Sequence, residues 1–316
     1  MKIFITGGAG FIGSHLTDYL LKKNNFVTVY DNFSSGKKEF IEHNIFNKNF
    51  RFIKNSTLNL KDLTKAMKDS DIVFHLAANP DVRIGSKNPE LEIKQGYLST
   101  FNVLEAMRLN DIKFIVYSSS SVVYGETNTK SISEDYSPLL PISLYGATKL
   151  GSEALINSYS GTFNFQSWIF RFANIVGSRG THGIIVDLIN KLKKDTSQLE
   201  ILGNGKQCKP YLHVSDCVEG MICGQSFTCD GQNIFNLGCD STTTVTKIAE
   251  ILLEEMNLKD TKLIYTGGDR GWVGDIPRFK LNSKKMHKLG WKPKYTSDEA
   301  IRISIREILD NVKNVK

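Results

Sequence analysis

Residues Lys2 to Gly13 read KIFITGGAGFIG, and this stretch decides the fold. Lys2 to Ile5 is a short apolar run of strand character; a glycine-rich turn follows, and a helix begins near Phe11. Gly7, Gly10 and Gly13 are spaced three apart, and Gly8, Gly10 and Gly13 also satisfy G-x-G-x-x-G. In a strand–turn–helix context each glycine has a task. Gly7 permits a tight turn out of the strand, Gly10 lets backbone approach a pyrophosphate, and Gly13 lets helix and strand pack closely. The N-terminus of the helix offers free N–H groups and a positive dipole end to the phosphates. The next strand, Phe26 to Tyr30, runs into Asp31, about 20 residues on, where an acid can hold a ribose 2′-OH.

The first half of the chain repeats this alternation. Apolar, β-branched runs occur at Phe50–Ile53, Asp71–Leu76, Lys113–Tyr117 and Ser167–Phe172. Helical patterns lie between and after them, at Ser14–Lys23, Lys61–Lys68, Pro89–Leu109 and Ser143–Ser158. Strands alternating with helices make βαβ units, hence a mostly parallel sheet with helices on both faces. The unbroken apolar run IVFHLAA fits a strand covered on both sides. After Asn174 the rhythm changes. A glycine-rich loop, Gly177 to Gly183, leads to a helix at Ile184–Lys194 and a turn at Gly203–Gly205. Ser215 is a plausible cap for a helix after His213, Asn233–Leu237 reads as a last sheet strand, and Thr246–Met256 and Ser297–Asn311 read as amphipathic helices. The expected class is α/β: a Rossmann-type, doubly wound parallel sheet in residues 1–174, and a smaller C-terminal α/β lobe in 175–316, with part of it, about 211–240, returning to the sheet.

Composition narrows the function. The chain has 316 residues, 41% hydrophobic and 23% charged, ordinary for a globular protein with a large core. No apolar run approaches the ~20 residues of a membrane span, and the N-terminus runs straight into strand, so a cytoplasmic protein without membrane attachment is expected. The net charge is +7, but the lysines are scattered, as in Lys22, Lys23, Lys193, Lys194, Lys284 and Lys285; they read as a solvated surface and not as a nucleic-acid face. Five cysteines, Cys208, Cys217, Cys223, Cys229 and Cys239, form no C-x-x-C pair, so they read as reduced thiols, with no metal site expected.

The candidate chemistry lies at Tyr145-Gly-Ala-Thr-Lys149. Residues four apart share a helix face, so Lys149 would stand one turn from Tyr145 and lower the phenol's pKa from its ordinary value near 10. Ser118-Ser119-Ser120-Ser121 stands at the C-terminal end of the fifth predicted strand, the edge where open α/β sheets bind ligands. A serine there can hydrogen-bond both a substrate hydroxyl and the tyrosine. Among the histidines, His75 reads as a core residue and His15 as helix packing, while His182 is a candidate substrate contact; Arg83 either reaches a phosphate or is solvated.

With TGGAGFIGSHL, DNFSSG, FHLAA, SSSSVVYG, YGATK, RFANIVGSRG, YLHVSDC and LGWKP in order, the sequence resembles the extended short-chain dehydrogenase/reductases, in particular nucleotide-sugar epimerases of the UDP-glucose 4-epimerase type. The resemblance implies tightly held NAD and a nucleotide-diphosphate sugar as substrate. It implies Tyr145 as base, Lys149 as its partner and Ser120 as the catalytic serine, with Ser121 as the nearby alternative. For the cofactor it implies Gly7, Gly10, Phe11, Ile12 and Gly13, then Asp31, Asn32, Ser35 and Gly36, then Leu76, Ala77, Ala78 and Ser118, besides Tyr145 and Lys149. For the substrate it implies Ser120, Ser121, Tyr145, Asn174, Lys209, Arg270 and Phe279. It also implies a homodimer, paired through the helices at Pro89–Leu109 and Ser143–Ser158, with Leu98, Phe101, Val103 and Leu104 as apolar material. Three positions depart from the family's pattern: Ser56 replaces an adenine-contacting Asp, Gly96 a helical Asn, and Lys209-Pro210-Tyr211 an Arg-Asp-Tyr.

Within such a family the reactions begin alike and then divide. Dehydratases and decarboxylases carry an acid just after the catalytic serine or threonine, where this chain has Ser121 and Val122; no extra Cys/His pair for C3 and C5 chemistry is seen. A 4-epimerase is expected. The alternatives are a reductase or dehydratase of the same family, or a non-catalytic NAD-binding sensor. Phe279 is bulky and would exclude an N-acetyl group, which favours UDP-glucose/UDP-galactose or the uronic acid, for whose carboxylate Arg278 would supply charge.

Overall fold

The computed structural model describes residues 1–127, 129, 131–227, 231–272 and 274–313; Cys229 lies outside them. In chain order, the strands are β1 (Lys2–Thr6), β2 (Phe26–Asp31), β3 (Phe50–Lys54), β4 (Ile72–His75), β5 (Phe114–Ser120), β6 (Gln166–Phe172), β7 (Asn174–Val176), β8 (Gln198–Ile201), β9 (Cys208–Lys209), β10 (Tyr211–His213), β11 (Gln232–Leu237), β12 (Thr243–Thr244) and β13 (Lys262–Tyr265). The helices are α1 (Phe11–Lys22), α2 (Leu60–Met67), α3 (Pro89–Glu92), α4 (Ser99–Leu109), α5 (Leu144–Phe163), α6 (Ile184–Leu192), α7 (Val214–Ser226), α8 (Val245–Glu255), α9 (Lys284–Lys288) and α10 (Ser297–Lys313).

Among the described residues, seven strands form one sheet in the order β11-β6-β5-β4-β1-β2-β3. Every neighbouring pair is parallel. This is the doubly wound arrangement, with its switch point between β1 and β4, where β1 leads to the glycine turn. β4 is buried along its whole length, as its apolar run requires. One core, built on Ile3, Ile5, Leu16, Val29 and Phe170, lies on one side; another, built on Phe4, Leu63, Val103, Leu104, Tyr117 and Ile169, lies on the other. A third core joins Ile185, Leu188 and Leu192 of α6, Ile248 and Leu252 of α8, and Ile301 and Ile305 of α10.

Several expectations are corrected. The stretch from Pro89 to Leu109 is not one α-helix: a π-helical turn, Ile93–Leu98, separates α3 from α4. Within that turn Gly96 presses on α5, and a Cβ there would lie 2.6 Å from Thr148 Oγ1, so an asparagine would require Thr148 to move. Helix α7 is capped by His213, whose Nδ1 accepts from the Ser215 amide at 3.3 Å, and not by Ser215. Of residues 211–240, Gln232–Leu237 enters the large sheet; Tyr211–His213 pairs instead with Asn174–Val176. No helix among the described residues is long and apolar enough to cross a membrane.

Candidate active site

A cavity of about 790 Å³ runs from the glycine turn, past the C-terminal ends of β4, β5 and β6, into the C-terminal part of the chain. Its first section is backbone. Gly7 stands at φ +71°, and a Cβ on Gly13 would lie 2.1 Å from Gly7 O, so neither position admits another residue without a shift. The N-terminus of α1 has no side-chain cap at Gly10, which leaves amides of Phe11 and Ile12 for an anion. Asp31 is buried at the end of β2, with its oxygens accepting from Ala9 N (3.0 Å) and Phe33 N (2.8 Å). Burial raises its carboxyl above the ordinary value, against those two hydrogen bonds. The cradle and the carboxylate together fit a dinucleotide without a 2′-phosphate. Lys37 and Lys38 do not line the cavity, and Lys37 is paired with Glu39 at 3.1 Å.

Tyr145 and Lys149 stand one turn apart on α5, whose start is capped by Ser143 Oγ accepting from Gly146 N. Lys149 is 3% exposed; its Nζ donates to Ser118 O at 2.6 Å and lies 5.6 Å from the Tyr145 ring centroid. Burial pulls the lysine down to about 8, opposed by the carboxylates of Glu92 and Glu153. The expectation that Lys149 depresses the tyrosine is not met: burial, then Glu92, pushes the phenol above its ordinary value. Ser120 Oγ faces the same cavity and accepts weakly from Val122 N at 3.4 Å, so its own proton is free for a ligand.

Beneath the site lies a buried network. Ser119 Oγ donates to Glu153 Oε1 (2.5 Å), Glu153 pairs with Arg171 at 2.7 Å, and Arg171 Nη1 donates to the Tyr124 hydroxyl (3.0 Å), which donates to Asn236 Oδ1 (2.7 Å). It ties β5, β6, α5 and β11 together directly below Ser120. His75 is wholly buried between Thr6 Oγ1 (2.7 Å) and Thr100 Oγ1 (3.1 Å). Thr100 spends its proton on Gly96 O, so His75 donates from Nε2 and accepts at Nδ1. Burial, then Lys149, pushes its pKa down to about 3, which makes it a neutral core residue.

Of the other expected site residues, Asn32, Ser35, Leu76, Ala77, Ala78, Ser118, Ser121, Asn174, Lys209 and Phe279 line the cavity. Gly36 does not; it packs against Ala9 and the Asp31 carboxylate. Arg270 does not either. It is exposed, paired with Glu126 and donating to Asp275 O. Arg278 is exposed and outside the cavity, so it brings no charge to a sugar carboxylate. Lys209 is held by Asp275 at 2.5 Å. His182 and Arg83 line the cavity; Arg83 bridges Asp81 (2.9 Å) and Asp187 of α6 (3.1 Å). Sequence reasoning missed Trp272 and Gln207, both in the lining, and Glu92, buried at 1% with Asn79 donating to it at 2.5 Å. A buried acid in the polar run PELEIKQ has no sequence signal.

Comparison with known proteins agrees with this geometry. Residues 3–238 match the model of the NAD dependent epimerase/dehydratase family. A provisionally named UDP-glucose 4-epimerase of Methanocaldococcus jannaschii is 33% identical over 316 residues, 98% of this chain and 99% of that one. The structure of Thermotoga maritima UDP-glucose 4-epimerase with UDP-glucose superimposes with a TM-score of 0.89 at 28% identity, covering 100% of both chains. That of Bacillus cereus UDP-glucuronic acid 4-epimerase with UDP-glucuronic acid and NAD does so with a TM-score of 0.88 at 29% identity, covering 98% of this chain and 100% of that one. The chain belongs to the NAD-dependent epimerase/dehydratase family, is UDP-glucose 4-epimerase-like, and takes NAD as its cofactor.

Proposed function

We propose that the protein interconverts the C4 epimers of a nucleotide-diphosphate sugar through a 4-keto intermediate, with residues 1–174 as the cofactor domain and 175–316 mainly as the substrate lobe. One observation carries this reading: Ser120, Tyr145 and Lys149 meet in one cavity, while Ser121 and Val122 place no acid beside them. Bound NAD⁺ supplies the acceptor for the C4 hydride and its return. The chain's own residues do the rest. Ser120 Oγ hydrogen-bonds the C4 hydroxyl, and Tyr145 Oη takes that hydroxyl's proton and gives it back. Lys149 holds its ammonium 5.6 Å from the Tyr145 ring centroid, anchored on Ser118 O. Asn174, whose Nδ2 is buried without a partner among the described residues, and the Lys209 ammonium offer donors for diphosphate oxygens. A dehydratase would need a further acid at C5 and C6, and a sensor has no use for all three catalytic groups.

The sugar is UDP-glucose/UDP-galactose or the uronic acid pair. Phe279 supports this: it lines the cavity and packs beside Val123, Tyr124 and Ala173, which limits its freedom to swing away. In a competition of UDP-glucose, UDP-glucuronate and UDP-N-acetylglucosamine, the wild type is expected to favour one of the first two, and Phe279→Ala to gain on the third. Highest kcat/KM of the wild type on the N-acetyl sugar contradicts the steric wall.

The protein is also proposed to be a cytoplasmic homodimer. Leu98 (42% exposed) and Phe101 (39%) supply the outward apolar face next to α5. Val103 and Leu104, expected to join them, are instead fully buried in the chain's own core. Sedimentation at micromolar concentration is expected to show a dimer, weakened by Phe101→Glu; a wild-type monomer contradicts this.

A further inference from the structure

Glu92 closes α3 and is 1% exposed. Its Oε1 accepts from Asn79 Nδ2 at 2.5 Å, and the same nitrogen donates to Asp81 O at 3.0 Å. Gly85 makes room for the side chain: a Cβ there would lie 3.1 Å from Glu92 Cγ and 3.3 Å from Leu144 Cβ. Leu144 opens α5, one residue before Tyr145, and α3 packs on α5. The carboxylate is therefore wedged between the loop after β4 and the helix that carries Tyr145 and Lys149. Its hydrogen-bond partner is neutral, and among the described residues no cation makes an ion pair with it. A carboxylate buried this deeply calls for a compensating charge.

The charges around Tyr145 identify that partner. Glu153, the other carboxylate near Lys149, is already taken: Arg171 pairs with it at 2.7 Å and Ser119 donates to it at 2.5 Å. Asp81, facing Glu92 from the loop, pairs with Arg83 at 2.9 Å. His75, near Lys149, is neutral. Tyr117 offers the lysine only a ring face, with Nζ 4.8 Å from the centroid, and Ser118 only a neutral carbonyl. One buried cation, Lys149, and one buried anion, Glu92, are left with no opposite charge in contact. They act on each other through space: burial lowers the lysine and Glu92 raises it, while burial raises the carboxyl and Lys149 lowers it. The same carboxylate raises the Tyr145 phenol, after burial. Resting on the reaction proposed above, we propose that Glu92 is the buried counter-ion of Lys149, a positioning residue that keeps the lysine charged and sets the pH window in which Tyr145 and Lys149 work together.

Glu92→Gln keeps the volume and an acceptor for Asn79 and removes only the charge. Without that charge Lys149 loses its proton at a lower pH, and the phenol ionises at a lower pH, so both limbs of the kcat profile move toward acid. The expected displacement is about one pH unit. A second measurement needs no turnover: thermal unfolding, at saturating NAD and neutral pH, of the wild type, Glu92→Gln, Lys149→Met and the double variant. Glu92→Gln is expected to lower Tm by about 2–4 °C when Lys149 is present, and to leave it unchanged or raise it in the Lys149→Met background, where the carboxylate has no cation to serve. Equal losses in both backgrounds overturn the proposal. So does a kcat profile of Glu92→Gln that coincides with that of the wild type or moves toward alkali. A wild type that turns over none of UDP-glucose, UDP-glucuronate and UDP-N-acetylglucosamine removes the reaction instead, and the unfolding cycle still decides the counter-ion.

Discussion

Tyr145→Phe is expected to lower kcat by roughly 10²–10⁴, the usual worth of a positioned acid–base group. The substitution removes one oxygen and keeps the ring that packs over Lys149. Substrate affinity should change little, because the lost interaction is made in the transition state. The size of the effect follows from the surroundings. Lys149 is buried and donates to a backbone carbonyl, so no other basic side chain on α5 can take over the proton. Burial, then Glu92, pushes the phenol up, so its use as a base depends on positive charge in the cavity. Rates of wild type and variant at saturating substrate, with NAD binding checked separately, give the answer. A loss below tenfold would remove Tyr145 from the role.

The second large effect is on stability. Glu153→Ala leaves the Arg171 guanidinium, 3% exposed on β6, without its carboxylate, and also strands the Ser119 hydroxyl. Breaking a buried pair from one side costs about 3–5 kcal/mol. Replacing both members with apolar residues, as in Glu153→Met with Arg171→Met, should recover much of that loss, since the double change removes the buried charge as well as its partner. Thermal unfolding of the NAD-free chain measures both. A single variant as stable as the wild type would show that the pair contributes nothing to the support under Ser120.

What could be read from the sequence was what repeats with a fixed period or demands a particular residue. The glycine turn was legible because Gly7 and Gly13 tolerate nothing else at their close approaches. The sheet was legible because β1, β2, β4, β5 and β6 are each short apolar runs covered on both faces. Tyr145 and Lys149 were legible through their four-residue spacing. The rest depends on tertiary contacts. The π-helical turn at Ile93–Leu98 comes with the close approach of Gly96 to Thr148, a contact between helices. Strands of two to four residues, such as β9 and β12 or β8 and β13, are too short to show a period and exist through their partners. Arg270 was placed by family resemblance, and the fold pairs it with Glu126. Gln207 sits in the run GNGKQCKP, which looks like solvent-facing turn until Gly203 and Leu202 are seen to enclose its amide.

That this cavity oxidises and re-reduces one carbon of a nucleotide sugar without releasing anything in between is the proposed reaction. It is tested most directly by incubating the NAD-loaded protein with UDP-[4-²H]glucose and UDP-[4-²H]glucuronate in ordinary water and following C4 by NMR. The expected product is the C4 epimer of one of them, with deuterium still at C4, because hydride leaves and returns within the closed cycle and Tyr145 exchanges only the hydroxyl proton. A 4-keto-6-deoxy product, deuterium lost from C4, or a stoichiometric build-up of reduced cofactor would contradict it.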